Sequence, residues 1–335
     1  MEITSSSSPS PIAANANNRS QVREILVSIA PLLGLIGLCT IFTLASPHFL
    51  SWANAVNILR QSAIPMILMV GLTFVIITGA IDLSVEGNMA LTGIVTALLI
   101  PNDRNSNDFG LLALIAGVLV GGLVGLLNGF TQVRARIPSF MVTLGTWFFT
   151  LGLAVVLYKG YTFPLRDENF LALYSGRTAG LANVSIIALL IVALGWLILR
   201  YTRFGLYLYA IGSNEDLAKM SGVHLDRYKL MAFLVAGLFF GIAGVLNIAR
   251  LRQGTALVGS FLFPTVAAVV VGGTSISGGT GGVINGVIGV LIVIVTQNGM
   301  ILIGLHPFTQ SIVQGLVFIT TVYFTLDRRK ITVLK

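Results

Sequence analysis

Of the 335 residues, 55% are apolar and only 10% charged, whereas a soluble domain of this size carries about a quarter charged residues. Polar surface is too scarce to cover a core, so the remaining solvent is lipid. The net charge of +8 therefore reads as basic loops gathered on one side of a membrane rather than as a nucleic-acid surface, and the single cysteine, Cys39, excludes an internal disulfide framework.

In chain order, residues 1–22 are rich in Ser, Asn, Pro and Ala without an apolar period, and read as a disordered tail. Residues 23–335 read as one transmembrane domain. Arg19 and Arg23 lead into an apolar run at 25–45, as basic residues do in a signal peptide. The run is of spanning length and many others follow, which favours an uncleaved first helix. Cys39 within it reads as a small buried residue, since Leu38 before it does not suit a lipoprotein signal. Further spans are predicted at 56–79, 84–101, 110–133, 138–158, 182–200, 229–250, 260–275, 281–301 and 307–326. Their apolar runs do not alternate as barrel strands would. The predicted fold class is all-α, a polytopic membrane protein of about ten transmembrane helices, some short or broken. The span from 84 starts beside charged residues, and the one from 260 contains Pro264 and ends in Gly272 and Gly273. Such interruptions persist at membrane depth only where protein or a water-filled cavity receives the freed backbone groups.

Ten spans place both termini on one side. With that side cytoplasmic, thirteen Lys and Arg residues fall inside and six outside, Arg60 remaining unassigned, the bias expected of a membrane protein. The largest inside loop, about 201–228, is polar and patterned. Asn214 can cap a short helix with Glu215 and Asp216 in its first turn and Lys219 near its end, and Gly222 can stop it. Such an element suits docking to a partner protein, and suits a solvated loop equally.

The chain lacks a Gly-Lys pair, so it has no phosphate-binding P-loop. His48, His224 and His306 are dispersed and carry no metal-ligand spacing. Catalysis, a metal and a cofactor are not expected. Asp82 and Glu86 come closest to being intramembrane charges, and both sit in the break Gly-Ala-Ile-Asp-Leu-Ser-Val-Glu-Gly at 79–87. Asp82 or Ser84 can cap the following helix, or the half-helix ends can line a substrate path. A second break, Gly-Gly-Thr-Ser-Ile-Ser-Gly-Gly at 272–279, has a similar Gly and Ser composition and falls on the same side. Asn128, Asn247, Gln297 and Asn298 lie within spans, where amides commonly bond neighbouring helices and can also meet a solute.

At these residues the chain resembles the permease subunits of ribose, xylose and galactose-type ABC importers, relatives of branched-chain amino-acid permeases. The matching stretches are Gly-Ala-Ile-Asp-Leu-Ser-Val at 79–85, Leu-Asn-Gly at 127–129 and Arg-Ile-Pro-Ser-Phe-Met-Val-Thr-Leu-Gly at 136–145. They continue with Thr-Arg-Phe-Gly at 202–205, Tyr-Ala-Ile-Gly-Ser-Asn-Glu at 209–215, Ser-Gly-Val at 221–223 and Ala-Ala-Val-Val-Val-Gly-Gly-Thr-Ser-Ile-Ser-Gly-Gly at 267–279. Glu86 and Gly87 stand where the family usually has Gly and Ser. The resemblance implies a permease domain over 23–335 in a bacterial plasma (inner) membrane, with both termini cytoplasmic. It implies alternating access for a monosaccharide, and a segment at 201–228 that docks on an ABC ATP-binding subunit through Arg203, Gly205, Gly212, Asn214, Glu215, Ala218 and Gly222. Asp82, Ser84, Glu86, Asn128, Ser275, Ser277 and Asn298 are the candidates for the path or its helix breaks. The implied partners are that ATPase subunit, a periplasmic sugar-binding protein, a second permease chain and the lipid bilayer, with no nucleic acid. A polyol, a nucleoside or a branched-chain amino acid is the alternative solute, and an ion-coupled secondary transporter the more distant one.

Overall fold

The computed structural model describes residues 29–325. The predicted tail at 1–22 lies outside that range, as do Arg19, Arg23, Arg328, Arg329, Lys330 and Lys335, which carry part of the sidedness reading. The described chain is a multi-pass bundle of helices. In order they are α1 (Ile29–Ala45), α2 (Trp52–Ile76), α3 (Val85–Leu99), α4 (Leu111–Ala135), α5 (Ser139–Tyr158), α6 (Glu168–Ser175) and α7 (Asn183–Tyr201). After these come α8 (Arg203–Ser213), α9 (Glu215–Met220), α10 (Leu225–Leu251), α11 (Leu262–Val271), α12 (Val283–Leu302) and α13 (Pro307–Thr325).

Each predicted span coincides with a helix, and the lengths alone do not confirm ten crossings. Among the described residues six helices, α2, α4, α5, α7, α10 and α12, are long and apolar enough to cross a membrane alone. α3 and α11 are shorter, α1 is described only from Ile29 onward, and α13 carries Gln310 and Gln314 among its apolar residues. α11 has only ten residues because Gly273, at φ 99°, leaves the helical region just after it. α6 occupies a stretch with no predicted element. Its signal is local: Asp167 accepts from the Phe170 N–H at 3.0 Å, with Glu168 in the first turn.

α10 is the hub, packed most extensively on α4 and also on α2 and α3. Small residues let it approach α4 closely. A methyl group added at Gly121 would lie 2.5 Å from the Gly237 carbonyl oxygen and 2.7 Å from the Gly241 Cα. At Gly125 it would overlap the Phe233 carbonyl. Gly125→Leu is therefore expected to force the two helices apart at a cost of about 1–3 kcal/mol. A thermal unfolding midpoint in detergent equal to that of the unaltered protein would contradict this packing. The apolar windows of α2 and α10 are both 72% buried within the chain, against 17% for α5, so α5 turns most of its surface outward from the bundle.

At one end of the bundle, two-residue strands clip the connections together. β1 (Phe163–Pro164) pairs antiparallel with β4 (Gln253–Gly254), and β2 (Arg177–Thr178) with β3 (Leu181–Ala182). Arg166 pairs with Asp103, and Arg252 with Glu168. The opposite end carries α8 and α9.

Candidate functional site

The two helix breaks meet at the α8 end. After Ile77 the chain leaves α2, turns at Gly79 with φ 80°, and runs extended into α3. Its freed backbone donors find hydroxyl groups on α5: the Ile81 N–H donates to Ser139 Oγ and the Leu83 N–H to Thr143 Oγ1, each at 3.0 Å. Asp82, Ser84 and Asn128 are fully buried and form one network. Asp82 Oδ1 accepts from the Ser84 N–H at 2.8 Å and from Ser84 Oγ at 2.6 Å, while Asn128 Nδ2 donates to Ser84 Oγ at 2.9 Å. Burial in protein meets the requirement that irregular backbone at membrane depth be satisfied internally. Of the two caps expected at α3, Ser84 occupies the cap position without a side-chain bond to the first turn, its hydroxyl being bonded to Asp82 and Asn128, and Asp82 accepts the Ser84 N–H just ahead of the helix.

The second break, 272–282, folds back beneath the first. The Gly279 N–H donates to the Ile77 carbonyl at 2.9 Å, which ties the breaks directly. Ser275 Oγ accepts from the Ser277 N–H at 3.2 Å and Thr274 Oγ1 from the Gly282 N–H at 3.2 Å, closing the loop on itself. Ser275 is half-buried and Ser277 exposed.

α8 seats on both breaks. The Thr202 hydroxyl accepts from the Gly205 N–H at 3.2 Å and starts it, and Gly205 fits a turn so tight that a Cβ would meet the Leu199 backbone. At its other end, a Cβ on Gly212 would overlap the Ile77 carbonyl oxygen and lie 2.5 Å from the Gly279 nitrogen. Tyr209 Oη donates to the Gly281 carbonyl at 2.9 Å. Burial pushes the Tyr209 phenol above its ordinary pKa, against the opposing charge of Arg200, so it remains a donor. Tyr209 stands within the quoted stretch at 209–215, but only the folded chain shows its partner. α9 follows as the sequence reading expects: Asn214 Oδ1 accepts from the Leu217 N–H at 2.9 Å, and Gly222 takes φ 82° after the helix. Glu215 pairs with Lys229 at 2.7 Å. Ala218 is buried, Arg203 is exposed, and Leu217 and Met220 project apolar side chains outward at 62% and 85% exposure.

Toward the β-clip end, a cavity of about 440 Å³ opens between α2, α11 and α12, lined by Arg60, Gln61, Arg250, Phe261, Gln297 and Gln314 among others. Pro65 on the same wall has no N–H and so cannot donate to the Gln61 carbonyl within α2. Gln297 lines this space. Asn298, one residue on, is buried with its Oδ1 unpartnered, and stands apart from the break network beside Gly299, which abuts Phe42 of α1. Glu86 also lies away from that network, though it is four residues from Asp82: its Oε1 accepts from the N–H groups of Phe261 and Leu262, at 2.8 and 2.9 Å, at the start of α11. Asn247 does not face the cavity as a free amide. Its Nδ2 donates to the Val258 carbonyl at 3.1 Å and its Oδ1 accepts from Arg250 Nε at 2.9 Å.

Comparison with known proteins converges on transport. The family described as branched-chain amino acid transport system / permease component matches residues 54–322. The ribose import permease protein RbsC of Bacillus subtilis (strain 168) is 36% identical over 309 residues, covering 91% of this chain and 94% of that protein. RbsC of Escherichia coli (strain K12) is 32% identical over 304 residues, covering 89% and 93%. The galactose/methyl galactoside import permease protein MglC of Escherichia coli (strain K12) is 33% identical over 308 residues, covering 86% and 90%. No solved structure matches the chain.

Proposed function

Because the chain belongs to the branched-chain amino acid transport system / permease component family, we propose that it is the membrane-spanning permease subunit of a bacterial ATP-driven importer that moves a monosaccharide. The observation that carries the importer reading is the seating of Gly212 and Tyr209 on both helix breaks, since it gives a partner protein bound at α8 and α9 a rigid route into the bundle. The word monosaccharide rests on the relatives, whose names specify ribose and galactose.

In this reading the α8–α9 end is cytoplasmic, residues 23–335 form the permease domain, and the tail at 1–22 is cytoplasmic as well. The segment 201–228 docks on an ATPase subunit, which carries the enzymatic activity. Leu217 and Met220 supply the apolar contact, and Arg203, Glu215 and the Gly222 turn set its edge. A periplasmic binding protein delivers sugar at the β-clip end, and a second permease chain completes the path. Motion of α8 passes through Gly212 to Ile77 and Gly279, then along α11 to the cavity wall. ATP and solute each shift the inward and outward states only by their differential affinity for them.

The test is reconstitution with the ATPase subunit and binding protein encoded alongside, measuring ATP-dependent uptake of ribose and galactose. Glu215→Arg together with Gly222→Val should leave insertion intact and lower uptake by about tenfold, equivalent to losing roughly 1.4 kcal/mol of docking free energy. Uptake driven by an ion gradient with no ATPase subunit present would overturn the reading.

A further inference from the structure

Glu86 has a role that neither break explains. It stands in the first turn of α3, yet its carboxylate serves α11, 175 and 176 residues further on. The site lies deep in the bundle: the next residue, Gly87, abuts Trp147 and Thr150 halfway along α5, and Met89 and Thr92 abut Gly244 of α10. α11 has no cap of its own, because Phe261 at the cap position offers no side-chain acceptor. Its first N–H groups therefore form a positive helix end deep in the bundle, with Glu86 as the anion that fills it.

The surroundings make that anion consequential. Phe261, Arg250 and Arg60 line the same cavity. The Arg250 guanidinium lies 5.3 Å above the Phe261 ring. Its Nε donates to Asn247, and Arg60 donates to Asn57. Neither guanidinium has a carboxylate at ion-pair distance among the described residues, whereas Arg166 and Arg252 at the β-clip end are both paired. Two guanidiniums in the cavity, with an open helix end at Phe261 beside it, would draw anions strongly. Glu86 removes the helix end from that set and adds a negative charge beside Phe261.

We propose that Glu86 is a specificity-determining residue that, by occupying the start of α11, weakens the pull of the cavity on anionic solutes and so favours neutral, hydroxyl-rich ones. The word solute rests on the permease reading, and the weakened pull on anions is a property of this chain's own charges. It can be measured without sugar, ATPase or binding protein, so its failure is separate from a failure of the importer assay.

Phe261 provides the reporter position, since it lines the cavity and its N–H bonds Glu86. In a Phe261→Trp variant whose Trp52, Trp147 and Trp196 are changed to Phe, fluorescence quenching by iodide reports an anion arriving in the cavity beside Glu86, and quenching by acrylamide reports neutral access. Glu86→Gln is expected to raise the iodide quenching constant by about tenfold, the lower end of what focused charge does to local ion concentration, with acrylamide quenching unchanged. Glu86→Asp, which keeps the charge, should hold iodide quenching low. Glu86→Ala serves as the second neutral variant should Glu86→Gln fail to fold. The proposal is overturned by unchanged iodide quenching in the neutral variants. It is equally overturned if iodide and acrylamide quenching rise together, which reports opening rather than charge, or if Glu86→Asp behaves as Glu86→Gln does.

Discussion

Gly212→Ala is expected to reduce uptake at least tenfold with the protein still inserted in the membrane. A single methyl group suffices because the atoms it meets are the Ile77 carbonyl oxygen and the Gly279 nitrogen, and these two are bonded to each other at 2.9 Å. No side chain can rotate away to make room. Either α8 lifts off the breaks, or the bond joining them opens and both breaks shift. Overpacking of this kind costs about 1–3 kcal/mol, enough to displace α8 from its seat without unfolding helices held elsewhere. ATP-dependent uptake should collapse while the ATPase rate becomes independent of the binding protein. Gly304→Ala, between α12 and α13, is the comparison: its Cβ meets open space, and the cost is confined to the left-handed backbone, about 1–2 kcal/mol. Uptake by Gly212→Ala within twofold of the unaltered protein would mean that α8 does not transmit through this contact.

Asp82→Ala is expected to destabilise the folded chain by about 2–4 kcal/mol, measured by thermal or denaturant unfolding in detergent. The carboxylate holds the Ser84 N–H and hydroxyl, and through Ser84 it is joined to Asn128 of α4. All three residues are fully buried, so no water replaces the lost acceptor. Asp82→Asn retains an oxygen at the Oδ1 position and should cost only about 1 kcal/mol, with uptake largely preserved. That contrast separates a structural acceptor from a proton relay. An ion-coupled carrier using Asp82 would lose transport in Asp82→Asn while keeping its stability.

Much of this architecture is legible locally. The apolar runs mark the helices, and the Asn214 cap with its acidic first turn places α9 to the residue. Both breaks announce themselves through Gly and Ser, and their sharing of one end follows from counting spans. What cannot be read locally is partnership across distance. Ser84 reads as a cap from its position before α3, yet its hydroxyl is claimed by Asp82 and Asn128, and Asn128 is 44 residues away. Glu86 reads as part of the same turn, though its partners lie in α11. Gly212 is named by the resemblance for docking, whereas its seat against Ile77 and Gly279 appears only in the folded chain. The number of full crossings is obscured for a related reason: hydropathy marks apolar stretches but does not reveal that α3 and α11 stop short where other parts of the chain receive their ends.

The hub position of α10 has a consequence for how the protein is made. α4 and its glycine face, Gly121 and Gly125, leave the ribosome about 125–130 residues before α10 (Leu225–Leu251) is complete. At about 5–20 residues per second that interval is on the order of ten seconds. Throughout it the central slot of the bundle is vacant, and the surfaces that α10 will cover, Gly121 and Gly125 of α4 with Met89 and Thr92 of α3, face lipid or the insertion machinery. The most tightly packed seam of the finished protein is therefore among the last to close, and a nascent chain arrested before residue 225 displays it open.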